Sequence, residues 1–185
     1  MIMDCRVIRS RRKTIAIEIT PRGEVIVRCP VRMANRDIQK FLWARADWIQ
    51  SHLAKLPKVS PLTEEEHRAL IRSAKDFFPE RVRVFADRKH VTHGRITIRS
   101  QHSRWGSCSS SGNLNFNCLL MLAPEEVRDY VIVHELCHRK LMNHSPGFWQ
   151  EVSAVLPDFQ VRRRWLKENG ASLLARLPAK EDAQR

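Results

Sequence analysis

Two histidines and a glutamate in one short stretch are the side chains of this chain best suited to chemistry. His134-Glu135-Leu136-Cys137-His138 matches the pattern H-E-x-x-H. On a helix, residues four apart lie on one face, one turn above each other, so His134 and His138 can bind one cation. Imidazole nitrogens suit zinc, and ligand type favours zinc over other divalent metals. The spacing therefore predicts a zinc site on a helix.

His144 is the candidate for a third ligand. A catalytic zinc normally takes three protein ligands and keeps a fourth position for water. Asn143 tolerates the left-handed conformation that ends a helix, and Ser145-Pro146 is typical of a new helix start. The chain is therefore predicted to turn at His144, which would bring its ring back to the metal. An exposed loop histidine is the alternative interpretation.

Glu135 is the candidate general base. It is adjacent to the first ligand, where it can take a proton from a zinc-bound water and return it to the leaving group. A surface carboxylate is the alternative, so the role of Glu135 depends on the metal. The chemistry that this arrangement predicts is metal-assisted hydrolysis.

The helix that must position these residues has recognisable ends and an apolar face. Pro124-Glu125-Glu126 places a proline in the first turn and carboxylates at the positive end of the helix dipole. One stripe at helical spacing contains Val127, Tyr130, Val131, His134, His138 and Leu141. Both histidines of the motif are therefore predicted to face inward.

The first part of the chain has strand patterns followed by a helix pattern. Residues 5–30 contain three strand-like runs with a turn at Pro21-Arg22-Gly23-Glu24, which predict a small antiparallel β-meander. Residues 34–56 have apolar residues at helical spacing. Pro57, Pro61 and the acidic run at 63–66 indicate a boundary near residue 60.

The second part mixes helices with two short strands. A helix to about residue 88 is predicted to kink at Pro79, and strands are predicted at 95–100 and 114–117. A last helix is predicted at about 158–168, ending at Asn169-Gly170. We therefore predict an α+β fold with a β-α subdomain at 1–60, a catalytic domain at 61–175 and a disordered tail at 176–185.

The composition points to the partners that the chain could bind. It has 33 Lys and Arg against 20 Asp and Glu, a formal net charge of +13 and a pI of about 10.3. This balance suits nucleic acid or an acidic substrate, although a solvated basic surface explains it equally well. The charged start of the chain and its short apolar runs predict a cytoplasmic protein without a membrane partner. Five cysteines without CxxC spacing are predicted to stay reduced.

Several longer stretches of the sequence carry a resemblance to a known family. They include RWGSCSSSGNLNFN at 104–117, VIVHELCH at 131–138 and MNHSPGFW at 142–149. Together they resemble the YgjP-like metallopeptidases, which are related to the SprT and WLM groups. The resemblance extends to RRKTIAIEITPRGEVIVRCPVRM at 11–33 and PDFQVRRRWLKENG at 157–170. The resemblance implies a zincin-like catalytic half behind an N-terminal β-α subdomain. It also implies zinc-ligand roles for His134, His138 and His144 and the base role for Glu135.

The sequence does not assign a single role to several other residues near the motif. Arg139 and Leu141 depart from broader zincin patterns, in which an uncharged residue and a metzincin glycine are usual. A strand at Arg104-Trp105 could align an extended peptide, but core packing for Trp105 and a structural ion pair for Arg104 explain them equally well. Tyr130, His102 and Arg104 are candidates for the oxyanion stabiliser.

The sequence thus favours a zinc-dependent metallohydrolase, most simply a metallopeptidase with a protein or peptide substrate. Zinc-activated water can also attack phosphorus, so a nucleotide or phosphoester hydrolase is the first alternative. A nucleic-acid-associated protease, or a DNA-binding protein that uses helix 158–168, is the second.

Overall fold

The chain forms two compact units, which divide between Val59 and Ser60. The computed structural model describes residues 5–56 and 59–178. These residues form two three-stranded sheets and six α-helices, which confirms the predicted α+β class. None of the helices in the described residues combines the length and apolar character that a membrane span requires.

The sheet of the first unit has its most buried strand at the centre. Strands β1 (Arg6–Ser10), β2 (Ala16–Ile19) and β3 (Val25–Pro30) are arranged in the order β1-β3-β2. β3 pairs in parallel with β1 and antiparallel with β2, so the predicted antiparallel meander is wrong. The buried strand β3 satisfies its backbone groups on both sides in this position. Alternating residues predict which face of a strand is buried, but they do not specify the order of strands.

Two helices cover the predicted helical segment of the first unit. They are α1 (Asn35–Trp43) and α2 (Ala46–Ala54), where the apolar pattern predicted one helix over 34–56. The break at Ala44-Arg45 contains neither proline nor glycine, so the sequence has no local signal for it. Both helices contribute buried residues to a small core with β3.

The second unit begins with the long helix α3 (Glu64–Lys89). The Thr63 hydroxyl accepts a hydrogen bond from the Glu66 N–H at 3.2 Å, and the Glu66 carboxylate accepts one from the Thr63 N–H at 2.8 Å. This capping box fixes the start of the helix at the predicted acidic run. The helix continues through Pro79, and the adjacent Phe78 is fully buried.

A second three-stranded sheet packs against α3. It consists of β4 (Ile96–Arg99), β5 (Gly106–Cys108) and β6 (Leu114–Asn117) in the order β4-β6-β5. β4 is parallel to β6, and β5 is antiparallel to it. Phe116 of β6 stacks on Phe78 of α3, with ring centroids 4.5 Å apart. β4 and β6 lie at the predicted positions, whereas the three-residue strand β5 is too short for its pattern to be recognised.

Three further helices follow a short 3₁₀ turn at Cys118–Leu122 and complete the unit: α4 (Glu125–Cys137), α5 (Pro146–Ser153) and α6 (Phe159–Ala175). The predicted end of the last helix at Asn169-Gly170 is wrong, because α6 continues past Gly170. A Cβ atom at Gly170 would lie 3.1 Å from the Trp105 ring, so glycine permits close packing there.

The predicted disordered tail at 176–185 lies only partly within the described residues. Leu177 is buried in the core of the second unit, so the prediction does not hold at that residue. Residues 179–185 lie outside the described residues.

A buried lysine connects the end of α3 to α5. The side chain of Lys89 is 2% exposed, and its Nζ donates to the backbone carbonyl and to Oε2 of Glu151, both at 2.9 Å. Lys140 also donates to Glu151 Oε2, at 3.1 Å. Hydrogen bonds from Lys89 and Lys140 hold the pKa of Glu151 below its usual value. The carboxylate therefore contributes to folding in its charged form.

We expect the Glu151→Gln variant to be less stable than the wild type at neutral pH by about 1 kcal/mol, because the buried Lys89 amine keeps only a weaker acceptor. A group whose folded pKa is depressed stabilises the protein above its unfolded pKa, and this stability is lost as the pH falls through the folded pKa. The difference should therefore begin to shrink as the pH falls below the pKa of free glutamate, and it should disappear once the pH is below the depressed pKa of Glu151 in the folded protein. Urea unfolding across this pH range measures it, and an equal difference at every pH would contradict the assignment.

Candidate metal centre

Helix α4 is held in place by an ion pair to α3. Arg81 donates to Asp129 through Nε at 2.7 Å and through Nη2 at 2.6 Å, and the Asp129 side chain is 9% exposed. The hydrogen bond to Asp129 raises the pKa of Arg81. A bidentate, largely buried pair of this kind fixes both the rotation and the position of a helix. The residues that follow on α4, from Tyr130 to Cys137, are buried or partly buried.

The three histidines predicted as ligands lie together. One nitrogen from each of His134, His138 and His144 lies within 4.8 Å of those of the other two. The Nε2 atoms of His134 and His144 are 3.1 Å apart. Two nitrogens bound to one zinc at about 2.0–2.1 Å with tetrahedral angles are separated by about 3.3 Å. The spacing of this pair therefore suits ligands of one small cation.

The hydrogen bonds of the cluster leave ligand nitrogens available. His138 Nδ1 lies 3.0 Å from the Leu141 carbonyl, to which a ring nitrogen can only donate, so the lone pair of the neutral ring is on Nε2. A metal-bound histidine commonly makes such a bond with its other nitrogen. His134 Nδ1 is buried and has no hydrogen-bond partner in the described part of the chain.

Burial keeps the inner histidines neutral. It lowers the pKa of His134 to about 3, and the neighbouring His138 and His144 add to this effect. Burial also lowers the pKa of His138, although the hydrogen bond to the Leu141 carbonyl raises it. Neutral imidazole is the form that binds metal. The three histidines therefore fit a zinc ion by donor type and spacing, and His134 and His138 also fit it by protonation.

His144 reaches the cluster because the chain turns after α4, which ends at Cys137. The turn itself was expected, but the left-handed conformation expected at Asn143 is wrong, since His90 is the one non-glycine residue with positive φ in the described part of the chain. The Asn143 side-chain oxygen accepts a hydrogen bond from the Ser145 N–H at 3.3 Å, and α5 then starts at Pro146. His144 is exposed, so it lies at the open side of the cluster, whereas His138 is buried. This arrangement leaves a side from which solvent and a substrate can reach the histidines.

Phe148 forms the apolar base of the cluster. It is fully buried, and its ring centroid lies 4.9 Å from that of His134, 4.7 Å from His138 and 4.8 Å from His144. Sequence reasoning missed this role, because Phe148 appears there only as one apolar residue of a short amphipathic helix. Its position two residues after the helix start and four residues after His144 was the available signal.

Glu135 lies on the same turn of α4 as His134, and its side chain faces β5. A Cβ atom at Gly106 would lie 2.6 Å from Glu135 Oε1, so glycine is required for the carboxylate to pack over the strand. Glu135 is 5% exposed, and burial raises its pKa to about 8. A bound cation would lower this pKa, because a nearby positive charge favours the carboxylate. The carboxyl group is thus positioned to exchange a proton near neutral pH.

The other sequence candidates have different environments. The Tyr130 ring centroid lies 5.9 Å from that of His134, and burial raises the pKa of Tyr130. Trp105 packs on Gly170 and the core, which agrees with the structural interpretation, and Arg104 is exposed. His102 is partly buried. The geometry of the described residues assigns the oxyanion role to none of these three candidates.

Arg163 is a site neighbour that sequence reasoning missed. Its Cζ lies 4.6 Å from the centroid of the Trp149 ring, and that ring is 5.8 Å from the His144 ring. The positive charge of Arg163 lowers the pKa of Tyr130, against the larger effect of burial. In the sequence it is one of three successive arginines, whose clustering indicates nucleic acid more readily than a metal site.

We expect zinc to stabilise the wild-type chain and to have no such effect on His138→Ala. A site saturated at about 100 times its Kd adds about 2.7 kcal/mol to the free energy of unfolding. The thermal unfolding temperature with and without zinc, together with metal content by elemental analysis, measures the difference. His52→Ala, which changes an exposed histidine of the first unit, is the matched control. Equal stabilisation of His138→Ala and the wild type would exclude this site.

The chain matches a known protein family and is similar to solved structures. Residues 13–70 and 61–169 match the family described as YgjP-like, metallopeptidase domain. The chain is similar to the metallopeptidase zymogen abylysin of Pyrococcus abyssi, with 23% identity and a TM-score of 0.44 over 49% of this chain and 92% of that one. It is also similar to the zymogen jannalysin of Methanocaldococcus jannaschii, with 23% identity and a TM-score of 0.43 over 50% of this chain and 93% of that one.

No protein in the set with curated functions matches the chain. The family match covers most of the sequence and includes both the histidine cluster and the glutamate. The chain belongs to the YgjP-like family of metallopeptidases.

Proposed function

We propose that this metallopeptidase uses zinc held by His134, His138 and His144, and that Glu135 is its general base. The observation that carries the proposal is the cluster of three histidine nitrogens within 4.8 Å of one another, with a buried carboxylate on the same helical turn. When bound, zinc supplies Lewis acidity, which activates a water and polarises the carbonyl of the scissile bond.

The role of Glu135 follows from its position and its environment. Its carboxylate takes the proton of the attacking water and then delivers that proton to the amine of the leaving group. Burial against Gly106 excludes bulk water from one side of the carboxyl group and favours the protonated form after the first transfer. The same group therefore acts first as a base and then as an acid.

The free edge of β5 supports a peptide substrate. In the described residues β5 pairs only with β6, and the Trp105 carbonyl accepts a hydrogen bond from the Asn117 N–H. Because backbone groups alternate in direction along a strand, those of Gly106 and Cys108 point away from β6. An extended peptide can pair with them, which would align its backbone beside Glu135.

This edge favours peptide hydrolysis over the alternatives from the sequence. Backbone donors and acceptors of an open strand recognise a peptide main chain, whereas a nucleotide offers no matching pattern. Phosphoester hydrolysis, nucleic-acid association and the cytoplasmic location stay predictions.

We expect Glu135→Gln to lower peptidase activity by a factor of about 10²–10⁴, the usual contribution of a general base. The amide has nearly the same shape but cannot accept the proton. Bound zinc should remain at the wild-type level, because Glu135 is not among the proposed ligands. Cleavage of an unstructured protein such as casein, with metal content measured in parallel, checks both. Glu126→Gln, on an exposed position of α4, is the control.

Two outcomes of this experiment would contradict the role of Glu135 as the general base. If the zinc-loaded wild type and Glu135→Gln cleave equally, the base is another group. If Glu135→Gln loses its zinc instead, the carboxylate acts on the metal site and not on the water.

We expect Gly106→Ala to lower activity by about 10²-fold, because displacement of a catalytic group by about 1 Å costs that much. The new Cβ would lie 2.6 Å from Glu135 Oε1 and 2.8 Å from its Cγ. Gly147→Ala on α5 is the matched control, since its nearest neighbour would be Leu141 at 3.5 Å, an ordinary contact. Steady-state cleavage assays compare the two variants. Equal activities would show that Gly106 does not position the base.

A further inference from the structure

A groove lies along the second sheet at the edge opposite β5. It is formed between β4 and α3 and has a volume of about 580 Å³. β4 is an edge strand, since within the described residues it pairs only with β6. The groove is lined by Lys75, Pro79, Arg95, Ile96, Thr97, Ile98 and Arg99. None of these residues belongs to the metal centre.

In the part of the chain that the structure describes, the outer side of β4 has unpaired backbone groups at two residues. The Arg95 carbonyl accepts from the Leu114 N–H, so the backbone of Arg95 points toward β6. Since backbone direction alternates along a strand, the N–H and C=O groups of Ile96 and Ile98 point to the open edge. Two donors and two acceptors spaced in this way are what an additional strand requires.

Helix α3, on the other side of the groove, lacks one backbone hydrogen bond. Proline has no N–H, so Pro79 cannot donate to the carbonyl of Lys75 four residues earlier. Lys75 and Pro79 both line the groove. A turn of α3 that lacks one helical hydrogen bond therefore lies along the groove.

The charged side chains that line the groove are all positive. Its lining contains the cations Lys75, Arg95 and Arg99 and no carboxylate. None of the three forms an ion pair with another residue in the described ranges. Positive charge on an open edge strand also discourages the pairing of two copies of this chain through that edge. The complementary partner is an acidic extended segment.

We propose that the groove binds an extended acidic peptide segment of a partner protein, which adds to the sheet as a strand beside β4. The backbone of the peptide pairs with Ile96 and Ile98, and its carboxylates contact Lys75, Arg95 and Arg99. This docking site does not depend on the metal centre. A nucleic-acid strand would use the three cations but not the alternating donors and acceptors of β4.

Amide hydrogen exchange tests the strand pairing directly. The probe is a short peptide of alternating glutamate and valine, added to the full chain and followed by NMR. We expect the amides of Ile96 and Ile98 to exchange at least about tenfold more slowly with the peptide, because hydrogen bonding protects an amide in proportion to its opening equilibrium. Unchanged exchange at both residues under saturating peptide would overturn the proposal.

Charge variants test the chemistry of the partner. We expect the double variant Lys75→Glu with Arg95→Glu to weaken binding of the acidic peptide by about tenfold or more, as loss of about 1.4 kcal/mol would do. Lys167→Glu, an exposed lysine of α6, should have less than about a twofold effect. A peptide of alternating glutamine and valine should bind weakly to the wild type.

Two results of the charge experiment would contradict the proposal. An equal loss in Lys167→Glu would mean that net charge alone attracts the peptide. A single-stranded oligonucleotide that binds more tightly than the acidic peptide and displaces it would assign the groove to nucleic acid.

Discussion

The rest of this structure is constrained by the close approach of three imidazole rings, whose nitrogens lie near one common point. Burial lowers the pKa of His134 to about 3, so the cluster cannot relieve its crowding by protonating that ring near neutral pH. A cation that accepts the nitrogen lone pairs is the natural partner of such a cluster. Without it, the surrounding helices must hold the rings together by packing alone.

Four side chains support the position of the histidine cluster. Arg81 fixes α4 through Asp129, Lys89 fixes α5 through Glu151, and Phe148 packs against the histidine rings from the core. Arg139, which departs from broader zincin patterns, has a structural role here. Its guanidinium donates to the Thr92 carbonyl at 2.9 Å and to the Ser110 carbonyl at 3.2 Å. It thereby connects the end of α4 to the hairpin whose first strand packs on Glu135.

The motif residues could be predicted because their chemistry depends on local spacing. H-E-x-x-H fixes two rings on one helical face, and the turn signals around Asn143 predict that His144 returns to them. Strand order, the break between α1 and α2, and the short strand β5 could not be predicted, because they depend on contacts between distant residues. The position of Gly170 within α6 also depends on a distant contact that the sequence does not show. Glycine usually ends a helix, but here it makes room for Trp105, which is sixty-five residues earlier in the chain.

The coordination shell of the zinc-loaded chain tests the central claim most directly, and X-ray absorption at the zinc edge measures it. We expect three imidazole nitrogens and one oxygen at about 2.0–2.1 Å, without sulfur. A thiolate at about 2.3 Å would place a cysteine in the shell and contradict the three-histidine site. A shell with fewer than three imidazoles would also contradict the proposed set of ligands.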